Sequence, residues 1–375
     1  MRGTPILLTC AAFACVHAPP PPPPKLAVKQ AGRGPLVELP PSILHERART
    51  LMAEGKWEQA WEKLEAYLAR EPGDAAALFE AGWMAEKRSD PAGAKELYRR
   101  SLEIDPGQVG AALDLARLLQ DDPVRAEAVL RASLEKLPGD PRLLDGLAAA
   151  LLAQKKLDEA AAAARQVLER HPDDAGAFRA LADVEAGRGR IRHAEWLLEN
   201  ARKLDPADAG TLNSLGLLAL RRDDPAAARA DFAEAARLDP SFAPAWANLG
   251  ALALRYRDYA AAEQACGRSL ELDPGRWETR LSLAQALEGL QKPAEARAEY
   301  ERVLAARPDE DDALYGRALA LRAEGSLEAA AAAFQQYLPH AQGTRAHQVR
   351  AQIAAIELRM RTAQAAPAGH PGGVR

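Results

Sequence analysis

Prolines recur along this chain at a nearly constant interval. The series is Pro72, Pro106, Pro138, Pro172, Pro206, Pro240, Pro274 and Pro308. Each step is 34 residues except the one from Pro106 to Pro138, which is 32, and aligning this third unit with the others places the two missing residues at the turn around Asp122 and Pro123. A fixed period in this range is typical of a repeat array, in which each unit packs only on its neighbours. The period therefore predicts one array of stacked units and leaves no room for a separate globular domain.

Two further positions in each period hold only small residues. Twelve residues before each proline, and once more in a ninth unit, the residue is alanine: Ala60, Ala94, Ala126, Ala160, Ala194, Ala228, Ala262, Ala296 and Ala330. A second position, twelve residues before each of these alanines and ten before Ala126, holds only glycine or alanine: Ala48, Gly82, Ala116, Ala148, Ala182, Gly216, Gly250, Ala284 and Ala318. Two small residues at these places let a pair of helices approach closely, because a larger side chain would overpack the contact.

This pattern resembles the tetratricopeptide repeat, with small residues in both helices and a proline closing the unit. The seventh unit carries it most fully, with Trp246, Leu249, Gly250, Tyr259, Ala262 and Pro274. The resemblance spans nine units over residues 41–344. It implies an all-α fold, a right-handed superhelical solenoid of helix-turn-helix repeats, and a protein-interaction role without catalysis.

Composition and motifs narrow the function classes. A net charge of −4 with mixed signs gives no basic surface for nucleic acid. The three cysteines do not have the spacing of metal ligands, and Cys266 is expected to be a small buried apolar residue. No nucleophile elbow, phosphate-binding loop or zinc-protease helix is present in the sequence. We therefore expect a non-enzymatic chain without a cofactor or a metal site.

The amino-terminal residues 1–14 read as an export signal. Arg2 precedes a short apolar run that contains no acidic residue and ends at Ala14. The next residue, Cys15, makes this a candidate lipoprotein signal with Cys15 as the site of lipid attachment, although Ala12 and Phe13 depart from the usual pattern. Plain secretion, and a misplaced start of a cytoplasmic chain, are the alternatives.

Residues 15–40 form a proline-rich linker that contains six consecutive prolines, Pro19 to Pro24. Such a run favours polyproline II, which rises about 3.1 Å per residue and resists collapse. The linker is therefore predicted to be a stiff spacer between the lipid anchor and the array. The alternative interpretation is that the run is a ligand for a proline-recognising domain.

The chain after the ninth unit is predicted to cap the array. Residues 345–363 form one helix with Val349, Ile353, Ile356 and Met360 along one side, and the terminal repeat of such an array needs a cover with a polar outer face. A helix on a membrane surface is the alternative. Residues 364–375 are predicted to be a disordered tail.

The family resemblance places the first helix of each unit on an inner, concave wall that binds a protein or peptide. The candidate binding residues are Phe79, Trp83, Arg179, Asn213, Leu217, Arg221, Asn248, Ala251, Arg255, Leu281, Gln285 and Tyr315, and Asp183 lies on the same wall. Units six to eight are expected to form the binding region, because leucines there are interspersed with the amides of Asn213, Asn248 and Gln285. Alternatively, the inner leucines only complete the helix packing.

The sequence thus predicts an exported, lipid-anchored interaction scaffold on the periplasmic side of a bacterial envelope, with the outer membrane favoured. It would serve an assembly of the pilus, secretion or gliding-motility type. The alternatives are a cytoplasmic adaptor and the regulatory arm of an enzyme complex. The oligomeric state and the partner's identity do not follow from the sequence.

Overall fold

The computed structural model describes residues 39–88 and 90–365, and over these residues the protein is helical throughout. There are nineteen α-helices: α1 (Pro41–Ala53), α2 (Trp57–Leu68), α3 (Ala75–Lys87), α4 (Pro91–Ile104), α5 (Val109–Leu118), α6 (Pro123–Lys136), α7 (Pro141–Ala153), α8 (Leu157–Arg170), α9 (Ala175–Gly187), α10 (Ile191–Leu204), α11 (Ala209–Arg221), α12 (Pro225–Leu238), α13 (Ala243–Arg255), α14 (Tyr259–Leu272), α15 (Trp277–Gly289), α16 (Pro293–Ala306), α17 (Asp311–Ala323), α18 (Leu327–Tyr337) and α19 (Gly343–Ala365). A short 3₁₀ helix, Leu338–His340, precedes α19.

The first eighteen helices form nine helix-turn-helix repeats, so the predicted all-α repeat fold is confirmed within the described residues. Repeat one is α1 with α2, repeat two is α3 with α4, and so on to α17 with α18. The chain divides within α12 into two compact units, one ending at Asp231 and the other beginning at Phe232. Residues 39–231 are called the first unit below, and residues 232–365 the second unit.

Aspartates start many of these helices. Asp74 accepts a hydrogen bond from the backbone N–H of Ala77 at 3.0 Å, and Asp174 accepts one from Ala177 at 2.8 Å. These side chains satisfy backbone donors that have no partner inside the helix. Asp90 and Asp122 do the same ahead of second helices whose first residue is proline, and a proline at that position sacrifices no helical hydrogen bond. The aspartate two residues after several of the periodic prolines is thus a helix start signal.

In repeat one and in repeats four to nine, the turn between the two helices contains one residue in the left-handed backbone region. Gly55 and Gly189 occupy it with φ of 72° and 77°. Lys155, Asp223, Arg257 and Gln291 occupy the same position with φ between 59° and 61°. Because a side chain disfavours this conformation, the turn geometry imposes it at these four positions.

The small residues lie where the two helices of a repeat meet. All nine of the periodic alanines of the second helices are 0 % exposed. A Cβ placed on Gly82 would lie 2.5 Å from Cε1 of Tyr98, and one on Gly250 would lie 3.1 Å from the backbone nitrogen of Cys266. At these two positions a larger residue would clash with the residue opposite, as the sequence predicts. Cys266 is itself 0 % exposed, and burial raises the pKa of its thiol to about 12.

Repeat three is shorter than the others because its first helix is shorter. The sequence alignment placed the missing residues at the turn around Asp122 and Pro123, and this is wrong. Helix α5 has 10 residues, whereas α3 and α7 each have 13. The turn that follows α5, residues 119–122, is one residue longer than the turn after α7. Asp122 and Pro123 instead form an intact start for α6, with Asp122 as its cap.

Ion pairs join the second helix of one repeat to the turn of the next. Glu127 on α6 accepts a hydrogen bond from Lys156 at 2.8 Å, and Glu263 on α14 accepts one from Lys292 at 2.7 Å. Arg297 on α16 donates to Glu324 at 2.9 Å. The hydrogen bond from Lys156, assisted by Arg131 and Gln154, lowers the pKa of Glu127 to about 2.

The helix after the ninth repeat covers the apolar side of α18. Val349 is 0 % exposed, Ile356 is 3 % exposed, and Ile353 and Met360 pack against the same cluster as Phe334. Helix α19 spans Gly343–Ala365, so residues 364 and 365, which the sequence analysis assigned to a disordered tail, are helical. The rest of that tail, the leader with Cys15 and the linker up to residue 38 lie outside the described residues.

Candidate peptide-binding surface

The first helices of successive repeats pack on one another within each unit. In the first unit α5, α7, α9 and α11 follow each other in this way, and in the second unit α13, α15 and α17 do so. We call the side of these helices that carries the sequence-predicted binding residues the first-helix surface. Phe79, Trp83, Arg179, Asn213, Leu217 and Arg221 belong to the first unit, and Asn248, Ala251, Arg255, Leu281, Gln285 and Tyr315 to the second.

In repeat two the predicted aromatic residues pack against other aromatic side chains. The ring of Phe79 lies 5.8 Å from the ring of Tyr98, centroid to centroid. Trp83 meets Trp57 of the preceding repeat edge to face at 5.5 Å, with Lys87 5.3 Å from its ring centroid. Both predicted residues are half-buried, so they combine a packing role with a partly exposed ring.

Charged side chains follow one another along the first-helix surface of repeats four to six. Asp145 on α7, Arg179 on α9 and Asp208 at the start of α11 form this series. The Nε of Arg179 lies 3.4 Å from Oδ2 of Asp208. A Cβ on Gly176 would lie 2.8 Å from Oδ2 of Asp145, and one on Gly210 would lie 3.1 Å from Nε of Arg179. The two glycines, which are one period apart, therefore make room for the charged groups of the preceding helix.

A small cavity of about 20 Å³ lies beside this series. Its lining combines apolar and polar residues from α9, α10 and α11: Ala182, Asp183, Ala186, Leu198, Ser214, Leu217, Leu218 and Arg221. The hydroxyl of Ser214 hydrogen-bonds Asp183, and Arg221 donates to the backbone carbonyl of Ala186. A cavity of this size has room for about one water molecule or for one small group of a ligand.

Burial changes the proton affinity of the carboxylates at this surface. It raises the pKa of Asp145 to about 7, against the opposing attraction of Arg179. It raises the pKa of Asp183 to about 6, against Arg179, the hydrogen bond from Ser214 and Arg221. Oδ1 of Asp145 is buried and accepts no hydrogen bond from the described residues. Both carboxyl groups therefore change charge close to neutral pH, and a donor from a ligand would favour the ionised form.

Asn213 is the predicted binding residue whose placement the structure corrects. We expected its amide to face a ligand, but Asn213 is 1 % exposed. It lies one period after Arg179, where α11 is buried along most of its length. Leu217, one turn later on the same helix, lines the cavity, and Arg221 is exposed. Of the predicted binding residues in repeat six, Leu217 and Arg221 are therefore the accessible ones.

In the second unit the predicted residues are mostly half-buried. Asn248, Ala251, Leu281 and Gln285 are of this kind, and Arg255 is exposed. Leu281 packs against the cluster formed by Leu287, Tyr300 and their neighbours. The leucine thus contributes to helix packing, which is the alternative left open by the sequence.

Tyr315 at the end of this series is covered in part by the capping helix. Its ring lies 5.2 Å from that of Tyr337, and the guanidinium carbon of Arg345 lies 4.1 Å from its centroid. Arg345 belongs to α19. The ring therefore links the ninth repeat to the helix that caps it.

Two residues of the first-unit surface were missed from the sequence. Ser214 gave no signal, because a serine in a helix has no pattern that distinguishes it. Asp145 had one: Asp145, Arg179 and Asn213 occupy the same register position in three consecutive repeats, one period of 34 residues apart. Polar residues recurring at that position on stacked first helices indicate neighbouring side chains.

Two kinds of feature are absent from the part of the chain that the structure describes. No helix among residues 39–88 and 90–365 combines the length and the hydropathy needed to cross a membrane. Over the same residues, no three His, Cys, Asp or Glu side chains come together in a way that could hold a metal ion.

Several solved structures are similar to this chain over most of its length. Yeast Tom70 has 12 % sequence identity and a TM-score of 0.42, over 86 % of this chain and 96 % of that one. The Cut9–Hcn1 tetramer of APC/C has 19 % identity and a TM-score of 0.43, over 74 % and 55 %. The TPR domain of P58(IPK) has 17 % identity and a TM-score of 0.30, over 86 % and 99 %. These likenesses are too distant to indicate a partner, and no curated protein matches the chain.

Two family models, both described as tetratricopeptide repeat, match the sequence itself. One matches residues 45–109, 179–243, 213–276 and 281–346, and the other matches 85–150 and 118–184. Together the matches extend over residues 45–276 and 281–346, which is most of the chain and includes part of every repeat described above. The chain belongs to the tetratricopeptide-repeat family of protein–protein interaction scaffolds.

Proposed function

We propose that this protein binds an extended segment of a polypeptide partner along the first-helix surface of repeats four to six. The observation that carries the proposal is the cavity beside Asp183, Ser214 and Arg221, with Leu217 in its wall. Small side chains, Ala182 and Ala186, keep this part of the surface open. The site lies wholly in the first unit.

The chemistry of the site suits a peptide. An extended backbone presents N–H donors and C=O acceptors alternately, and its side chains supply apolar contacts. Asp183 is an acceptor, Arg221 is a donor, and the hydroxyl of Ser214 serves as either. Leu217 provides an apolar contact between them.

The test compares two apolar side chains, each replaced by arginine. Leu217→Arg replaces an apolar residue in the cavity wall by a long cation, and Val124→Arg places one on the second helix of repeat three, where Val124 is 62 % exposed. We expect the first change to weaken partner capture from envelope extracts about tenfold or more and the second to leave it unchanged, with equal circular dichroism. Equal capture by the two variants would contradict partner binding at this surface.

We further propose that the protein is exported and anchored by a lipid on Cys15, on the periplasmic side of a bacterial envelope. The support is the apolar leader without acidic residues, which ends at Ala14 directly before Cys15. In that compartment the partner would be a component of an assembly of the pilus, secretion or gliding-motility type. The array then acts as a scaffold that holds a polypeptide near the membrane, without catalysis.

Replacing Cys15 by serine tests the anchor. The thiol is the atom that would carry the lipid, and serine removes it with little other change. We expect Cys15→Ser to lose incorporation of a fatty-acid probe and to move from the membrane fraction to the soluble envelope fraction. A variant that keeps both its label and its membrane association would show that Cys15 is not the anchor. Cys266→Ser is the matched control, because Cys266 is buried.

A further inference from the structure

An aromatic patch lies where repeat one meets repeat two. It consists of Trp57 and Trp61 on α2 and Trp83 on α3. The rings of Trp57 and Trp83 make an angle of 66° at a centroid distance of 5.5 Å, and Trp57 is 36 % exposed. The guanidinium carbon of Arg88 lies 4.7 Å from the ring centroid of Trp61, which supports that ring from one side. Exposed aromatic residues in one place commonly mark a binding site.

The chemistry of this patch matches a proline run. Proline-rich segments bind aromatic-lined surfaces because the polyproline II helix is already extended, so little conformational entropy is lost on binding. Proline rings pack against the flat faces of aromatic side chains. The backbone of a proline run has carbonyl acceptors but no N–H donors, so an indole N–H can donate to one of its carbonyls. Trp57 and Trp83 place two indole rings side by side at this patch.

The chain itself carries such a run at a suitable distance. We propose that the six prolines Pro19 to Pro24 dock on the patch of Trp57, Trp61 and Trp83 in the same molecule. They would then not act as the extended spacer that the sequence analysis predicts. Fifteen residues lead from Pro24 to Leu39, where the described structure begins. A chain of that length spans at most about 50 Å. Helix α1, with 13 residues, is about 20 Å long and separates Leu39 from the turn before Trp57.

The tether makes even weak contacts effective. A chain of fifteen residues has a typical end-to-end distance of about 20 Å, close to the separation set by α1. When tether length and separation match in this way, the effective concentration of the tethered ligand is on the order of millimolar. A proline run with millimolar affinity as a free peptide would therefore occupy the patch for much of the time. This proposal is independent of the proposed binding site in repeats four to six.

Fluorine NMR of the full chain labelled with 5-fluorotryptophan tests the proposal. The native protein is compared with a variant in which Pro19 to Pro24 are all serine, and Trp57→Phe and Trp83→Phe assign the two signals. We expect the serine variant to shift the signals of Trp57 and Trp83 and to leave the signals of Trp196, Trp246 and Trp277 in place. Unmoved Trp57 and Trp83 signals would overturn the proposal.

Two additions separate the proposed occupant from its alternatives. The shift between the native and serine proteins should be the same in dilute and concentrated samples, because the contact is within one molecule. A shift that vanishes on dilution would show that a second copy occupies the patch and would overturn the intramolecular assignment. A blocked hexaproline peptide added to the serine variant should return both signals toward their native positions, and no return would exclude proline recognition.

Discussion

At the scale of single residues, the close contacts between helices depend on positions that hold only alanine or glycine. The nine periodic alanines are fully buried, and at Gly82 and Gly250 even a methyl group would meet a neighbour. These positions were predictable from the sequence because a close contact excludes every larger residue, so that small residues recur at a fixed interval along the chain. The burial of Asn213 was not predictable, because asparagine is usually exposed.

Ala262→Leu tests the packing of the periodic alanines. Ala262 is 0 % exposed on α14, so three extra carbon atoms must displace their neighbours, and we expect a loss of on the order of 1 to 3 kcal/mol in unfolding free energy. The same substitution at Ala260, which is exposed on the same helix, is the control and should change little. The measurement is the urea midpoint, and equal midpoints for the two variants would contradict the assigned contact.

Arg257→Gly tests the strain in the turns. Arg257 has a φ of 60°, a conformation that glycine adopts without the steric cost of a Cβ. We expect glycine to raise the unfolding free energy by about 0.5 to 1 kcal/mol, after its greater freedom in the unfolded chain is counted. The control is Arg255→Gly within the end of α13, which should destabilise the protein. A lower urea midpoint for Arg257→Gly would show that the arginine side chain matters more than the backbone.

At the scale of helices and turns, the sequence predicted much of the fold but little of the electrostatics. Proline, the capping aspartates and the periodic small residues mark where helices begin and meet, so the nine repeats could be counted. The prediction placed the residues missing from repeat three in the wrong element, because the sequence does not show whether the helix or the turn is shortened. The ion pair of Glu127 with Lys156 depends on which side chains face each other across repeats, and a single period does not specify that.

Asp145→Asn tests the buried charge between repeats four and five. Burial raises the pKa of Asp145 to about 7 from 3.8, so between these values the folded state binds more protons than the unfolded one. Its contribution to unfolding free energy therefore falls as pH rises through this window. We expect asparagine, which resembles the protonated form, to stabilise the protein at about pH 8 by on the order of 2 kcal/mol and to change it little near pH 4.

Glu127→Gln provides the opposite case for the same experiment. The pKa of Glu127 is lowered to about 2 from 4.5, so its stabilisation is present above pH 4.5 and is lost as pH falls toward 2. We expect glutamine to destabilise the protein at neutral pH and to have little effect in strong acid. Amide hydrogen exchange in α6 and α7 reports both effects. Parallel pH curves for the native protein and Asp145→Asn would show that Asp145 is ionised in the fold at no cost.

At the scale of the whole molecule, the central claim is that the first-helix surface of repeats four to six holds a polypeptide. The most direct measurement is photocrosslinking in living cells, with benzoylphenylalanine in place of Leu217 beside the cavity or in place of Val124 on the second helix of repeat three. The account predicts a polypeptide adduct from position 217 and none from position 124, with the partner's crosslinked segment identified by mass spectrometry. Adducts from position 124 alone, or equal adducts from both positions, would contradict it.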